Sequence, residues 1–283
     1  MRVAIDSSLS MYATVPGTNL TVLADSTAWL GRAPDFVIRP TGTGGAGATP
    51  VTSGEIAQLH AEGIGVTPYY NDSPLNANGF IPNGDLYAQG QRDAANAVQQ
   101  ADAIGFPGNV YLPGDIESNA PVTEAWVRGW CDEMRGAKFA GSGMLYGILG
   151  YDGNVRGNLG QAVEDALAKD TTGNVHRLLL WPADWIFKAG INYSLAATQP
   201  WNVLAGTDLF SMIRLWQLSG NDFNGIADED ICQDDFYNTG VFLPGGGVVT
   251  VSAGLPIGTV NPQAKALFVQ AQASLNQGVA LLG

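Results

Sequence analysis

The sequence predicts an α/β fold, a (β/α)8-type TIM barrel with irregularities, followed by a C-terminal strand-helix extension. Two observations carry this. A phrase recurs along the chain: a short apolar, β-branched run, a polar or Gly-rich turn, then an Ala-rich helical stretch. The apolar runs are also nearly continuous rather than alternating, as in a parallel sheet covered on both faces. A length of 283 residues suits one such domain, since a barrel takes about 250. An open doubly wound sheet is the alternative architecture. The boundaries expected are 1–240 for the barrel and 241–283 for the extension.

The predicted strands are Arg2–Asp6, Asp35–Arg39, Gly65–Asn71, Asn109–Leu112, Gly143–Leu149, Arg177–Trp181 and Ile213–Leu218. Helices are predicted near Ser53–Glu62, Gly84–Ala103, Thr123–Lys138, Leu159–Asp170 and Thr207–Ser211. Ser53, then Ile56, Leu59 and Gly63, reads as an N-cap, an apolar stripe and a stop. Thr123 with Trp126, Val127, Trp130 and Met134 has the same helical period. In the tail, Pro244–Ser252 predicts a turn and a strand. Asn261-Pro262 then offers a cap with proline at the first helical position, and Leu267, Phe268, Ala271, Leu275 and Val279 follow at helical spacing.

Composition narrows the partners. The net charge of −13 would repel phosphates, so no nucleic-acid partner is expected. No apolar run approaches the roughly 20 residues of a membrane span, and Met1–Asp6 lacks the apolar core of a secretion signal. The expectation is therefore a chain made and folded in the cytoplasm, unless it leaves through a holin, a virion or another non-signal route. Cys131 and Cys232 stand far apart without a motif, and buried free thiols are the default. His60 and His176 have no ligand spacing, and the acidic run Asp228, Glu229, Asp230, Asp234, Asp235 departs from a calcium loop, so no metal is expected. No cofactor is expected either. Gly42–Gly47 matches G-x-G-x-x-G, but no helix opens at its third glycine, which leaves a rim loop.

Candidate chemistry concentrates at the strand ends. Asp115 and Glu117, two apart, would face one space if the strand continued through them. Two acids in one pocket push their pKa values apart, the arrangement that serves proton transfer to a glycosidic oxygen. Asp6 closes the first strand on the same predicted rim. Trp216-Gln217 closes the last predicted strand, and a loop then returns Asp230. Tyr69, Tyr70, Tyr151, Trp181, Trp185 and Trp216 are available as platforms on which pyranose rings stack. Gln217 joins the substrate-binding candidates. Arg39 is a candidate substrate-binding cation or a salt-bridge partner of the rim acids.

A first strand ending in Asp, a middle strand ending in Asp-x-Glu, and a late Trp-Gln followed by Asp together resemble glycoside hydrolase family 25, the bacterial and phage lysozymes. The Tyr111 strand and the spacing are also similar to a related glycoside-hydrolase-like family of actinobacteria and their phages. The resemblance spans Arg2 to Phe236. It implies Glu117 as general acid, Asp115 as the neighbour that orients the substrate's N-acetyl group or tunes Glu117, and Asp6 and Asp230 as supporting acids. It implies cleavage of β-1,4 bonds in bacterial cell-wall glycan, the substrate's own acetamido group acting as nucleophile. Three features differ from the family pattern. Ser7-Ser-Leu-Ser-Met11 follows Asp6, Pro113-Gly114 falls just before Asp115 as a predicted strand interruption or bulge, and a tail continues past Phe236. These fit a second interpretation, a non-catalytic domain that serves a virion or surface assembly as a structural or wall-binding part. Its partners would be virion proteins or further copies of the chain.

Overall fold

A computed structural model of the chain describes residues 2–44, 47–77, 84–116, 120–136, 143–147, 150–151, 155–156, 158–182, 209, 212–217, 227–232 and 234–245. The strands are β1 (Arg2–Asp6), β2 (Phe36–Pro40), β3 (Gly65–Tyr69), β4 (Leu112–Ile116), β5 (Gly143–Gly147), β6 (Gly150–Tyr151), β7 (Val155–Arg156), β8 (Leu179–Pro182), β9 (Leu215–Gln217) and β10 (Asp228–Cys232). The helices among these residues are α1 (Val22–Leu30), α2 (Ser53–Ala61), α3 (Leu86–Ile104), α4 (Glu124–Gly136), α5 (Asn158–Lys169) and α6 (Asp234–Gly240).

The architecture corrects the barrel expectation. The strands form a five-stranded mixed sheet in the order β3-β2-β1-β10-β9, a three-stranded parallel sheet β4-β5-β8, and a ribbon β6-β7. This is a split α/β fold of small open sheets, not a closed (β/α)8 barrel. The antiparallel strand has a local cause. A parallel return needs a crossover of about a dozen residues or more. Residues 218–227 between β9 and β10 are too few, so β10 runs antiparallel to both β9 and β1. Among the described residues, the backbone pairing between the two sheets consists of isolated bridges, Tyr70 with Gly114 and Leu180 with Ile213.

Each main sheet has two apolar faces. One faces the helices and builds the large core, with Val3, Ile5, Val37, Val66, Leu112, Ile116, Leu180 and Ile231 packed against Trp126, Trp130 and Leu59. The other face is shared. Ala4, Phe36, Ile38, Tyr69, Met144, Trp181, Leu215 and Cys232 from both sheets form a second, smaller core. Alternation along each strand therefore decides which residues meet between the sheets.

β4 runs unbroken through Pro113 and Gly114, which corrects the expected interruption and puts Asp115 inside the strand rather than beyond it. The Tyr70 amide donates to the Pro113 carbonyl at 2.7 Å, and Asp115 N donates to Tyr70 O at 2.8 Å. Pro113 thus turns the edge where it lacks an amide toward the seam between the sheets, where proline is tolerated. Gly114 leaves room for Trp130, whose Cη2 would lie 2.8 Å from any Cβ there.

Helix ends follow sequence chemistry. Thr52, one residue before the expected cap, accepts from Glu55 N at 3.1 Å and opens α2. Asp85 caps α3, and Gly105 closes it with φ 102°. α3 and α4 cross closely at two glycines. A Cβ on Gly90 would sit 2.1 Å from Trp126 O, and one on Gly129 would sit 2.0 Å from Tyr87 O. α1, with Thr21 as cap and Gly31 as terminator, was not expected, and neither were β10 and α6.

Of the expected extension, Val241–Leu243 docks on β3. Phe242 bridges Val66, accepts from His60 Nε2 at 2.9 Å through its carbonyl, and Val241 is buried in the shared core. The remaining predicted elements of the tail lie outside the described residues, as does most of Thr207–Ser211. No helix among the described residues is long and apolar enough to cross a membrane. Cys131 and Cys232 are free and buried, and burial raises both thiol pKa values.

Candidate acidic site between the two sheets

The carboxyl ends of the parallel strands and the start of antiparallel β10 lie at the same end of the sheets. Ligands of open α/β sheets bind at such strand ends. There the shared face changes from apolar to acidic. Asp6 ends β1, Asp228 begins β10 as its cross-strand partner, and Asp230 follows at the next position on that face, opposite Ala4 and Gln217. Asp115 comes from β4, on the opposite side of that strand from Leu112 and Ile116 of the helix-side core.

Polar side chains hold these acids. Gln217 donates its amide to Asp228 Oδ2 at 2.9 Å and reaches Asp6 Oδ2 at 3.5 Å. Trp181 Nε1 donates to Asp230 Oδ1 at 2.7 Å. Tyr69 meets the Trp181 ring edge-on at 6.3 Å between centroids. Asp230 is fully buried and Asp115 is 9% exposed.

Electrostatics follow from that crowding. Burial first, then the charges of Asp228 and Asp115, push the Asp6 carboxyl well above the usual carboxylate range, and the Gln217 hydrogen bond opposes them weakly. Asp230 is raised in the same direction by burial and by Asp6 and Asp228, against the Trp181 hydrogen bond. Burial, Asp6 and Asp115 also raise the Tyr69 phenol. The site therefore keeps protons that isolated carboxyls would give up, and it can act as a donor of hydrogen bonds as well as an acceptor.

The sequence-derived candidates divide. Asp6, Asp115, Asp230, Tyr69, Trp181 and Gln217 come together on the shared face. Tyr70 and Trp216 are buried in the helix-side core instead, Tyr70 against Trp130 with centroids 6.2 Å apart. Arg39 also lies away from the acids. It is fully buried and paired with Glu55 of α2 at 3.0 Å, with its guanidinium donating to the carbonyls of Ser7 and Thr49. Tyr151 belongs to the β6-β7 ribbon. Glu117 and Trp185 lie outside the described residues. Asp228 was not among the candidates. Its signal was the spacing Asp228-x-Asp230, which on a strand places both carboxyls on one face.

Among the described residues, no group of three or more His, Cys, Asp or Glu has the geometry to hold a metal ion.

Comparisons with known proteins supply the lineage. The chain is similar over 83% of its length, and over 98% of the other's, to an uncharacterized B. stearothermophilus protein of known crystal structure, at 20% identity and a TM-score of 0.61. That likeness concerns the fold alone. Over 81% of its length it also matches the modular autolysin LytC from Streptococcus pneumoniae, across 46% of that chain, at 14% identity and a TM-score of 0.45, too weak to inform fold or function. No curated protein matches the chain. The family model described as "Rv2525c-like, glycoside hydrolase-like domain" matches residues 27–232, a span that includes β2 to β10 and leaves out β1 with Asp6. The chain belongs to the Rv2525c-like glycoside hydrolase-like family.

Proposed function

We propose that the chain is a peptidoglycan-directed glycoside hydrolase, muramidase-like, that cleaves β-1,4 glycosidic bonds by carboxylic-acid catalysis. One observation carries it: Asp6, Asp115 and Asp230 converge at the strand ends beside Trp181, Tyr69 and Gln217, within a glycoside-hydrolase-like family. In this proposal Glu117 protonates the leaving glycosidic oxygen as its bond to C1 breaks. The substrate's acetamido oxygen bonds to C1, Asp115 orients that group, and water later opens the intermediate. Asp6 and Asp230 are the supporting acids of the pocket. These roles follow the resemblance to family 25 lysozymes. The Tyr69 and Trp181 rings, buried in the shared core, back the acids from the interior.

A second function has its own support. Asp230 is fully buried, and the acids hold one another with Gln217 and Trp181 rather than standing open. A non-catalytic glycoside-hydrolase-like domain that binds the cell wall, or forms part of a surface assembly, would keep that network for structure.

Glu117→Gln distinguishes the two. The enzyme predicts that wild type clears suspended cell walls and releases reducing ends from purified peptidoglycan, and that the folded variant does neither. Wild type that binds walls without releasing ends would favour the domain that does not cut.

A further inference from the structure

Asp6 and Asp228 face each other across the antiparallel pair β1-β10 and crowd the same Gln217 amide. Two ionised carboxylates crowded in this way repel and have no donor between them, which favours one shared proton. Gln217, 1% exposed, approaches both acids from β9 with one amide nitrogen. An N–H can only donate, so it marks Oδ2 of each acid as an acceptor and leaves the proton to the remaining oxygens. Two residues along β10, fully buried Asp230 uses Oδ1 for Trp181, while its Oδ2 has no hydrogen-bond partner among the described residues.

We propose that Asp6 and Asp228 carry one proton between them as a single unit, that Gln217 is the positioning residue that sets its geometry, and that the unit donates this proton's hydrogen bond to an oxygen of a bound N-acetylated saccharide. The saccharide rests on the function proposed above; the shared proton does not. A carboxyl donor beside a carboxylate acceptor matches a ligand rich in hydroxyls that also carries an amide carbonyl. Other charged or titratable groups bearing on the pair are Asp115 from β4, Asp230 from β10 and Tyr69 from β3, with Arg39 acting on Tyr69 from β2. The acids among them all oppose a second negative charge on the pair, so they raise the pH at which it gives up its proton.

The test uses the full chain labelled at its Asp carboxyl carbons and titrated by NMR, with Asp228→Asn and Gln217→Leu beside wild type and Gln217→Glu as a replacement that keeps an acceptor but removes the donor. One of the two acids should titrate in the ordinary range and the other well above it. Asp228→Asn should return Asp6 toward ordinary titration. Both Gln217 variants should move the pair's upper titration while leaving the amide spectrum folded. Independent titration of both acids in the ordinary range, unmoved by Asp228→Asn, would overturn the pair. Calorimetry with a soluble N-acetylglucosamine–N-acetylmuramic acid disaccharide supplies the second arm. Binding should weaken about tenfold or more as pH rises through the upper titration in wild type, and lose that dependence in Asp228→Asn. An intact shared proton without disaccharide binding would overturn the ligand and the glycan function together while the pair stands. Binding with no such pH dependence would overturn the donor role alone.

Discussion

Trp181 donates its indole N–H to Asp230 at 2.7 Å, and this bond ties β8 of the three-stranded sheet to β10 of the five-stranded one. Both side chains are buried, so neither exchanges this partner for water. With the shared apolar core and two isolated backbone bridges, the bond helps to keep the sheets together. Trp181→Phe leaves Asp230 Oδ1 without its indole donor and should cost about 1–3 kcal/mol in urea denaturation. A change near zero would show that another donor takes over or that the sheets do not depend on the bond.

Stability should fall as pH rises above the usual carboxylate range. Folded Asp6 and Asp230 keep protons above the ordinary value of 3.8, while the unfolded chain releases them there. Wherever the folded state binds more protons, raising pH favours unfolding. The stabilisation is complete below the unfolded pKa and is lost as pH climbs through the raised folded values. Asp230→Asn removes one titrating group and should flatten the stability-pH curve above pH 3.8. An unchanged slope across that window would contradict the burial of these acids.

The α3-α4 crossing should reject any side chain at its contact points. Gly90→Ala and Gly129→Ala each place a methyl group against a backbone carbonyl of the other helix, which cannot move aside as a flexible side chain would. Each should lower stability by about 1–3 kcal/mol despite alanine's better helix propensity. Thermal unfolding of the two variants checks this, and a raised midpoint would mean that the helices sit farther apart.

Arg39→Met should act through folding rather than through the acidic site. It strands Glu55 as a buried charge, since Arg39 and Glu55 form a pair that is 0% and 5% exposed. Removing one partner of such a pair costs about 3–5 kcal/mol. Denaturation should show that loss, while saccharide affinity per folded molecule should stay within about twofold, a change of less than 0.5 kcal/mol. A large affinity loss with intact stability would return Arg39 to the substrate-binding set.

Much of the site was legible because strands facing two apolar layers leave clear runs in the sequence. β1, β3, β8 and β9 were recognisable that way, and with them Asp6, Tyr69, Trp181 and Gln217. β10 was not, because Asp-Glu-Asp-Ile-Cys reads as a solvated acidic loop until its neighbours are known. Its Asp228 and Asp230 carboxyls find donors in Gln217 and Trp181. Those partners come from distant parts of the chain. The split into two sheets was hidden because it falls where β3 meets β4 and β8 meets β9, where pairing shrinks to isolated bridges. α1 is different. Thr21 and Gly31 carry ordinary cap chemistry, but its apolar face is weakly patterned, with Ser26 buried in it. Tyr70 and Trp216 show the cost of a one-residue step, since each neighbours a site residue and points into the other core.

The most direct test identifies the sugar at the new chain ends after wild type acts on purified peptidoglycan, by reducing those ends and analysing the fragments by mass spectrometry. The muramidase function predicts reduced N-acetylmuramic acid ends from wild type and at least a hundredfold fewer from folded Glu117→Gln, the scale of loss when a general acid is removed. No new ends from wild type, or equal yields from the two proteins, would contradict it.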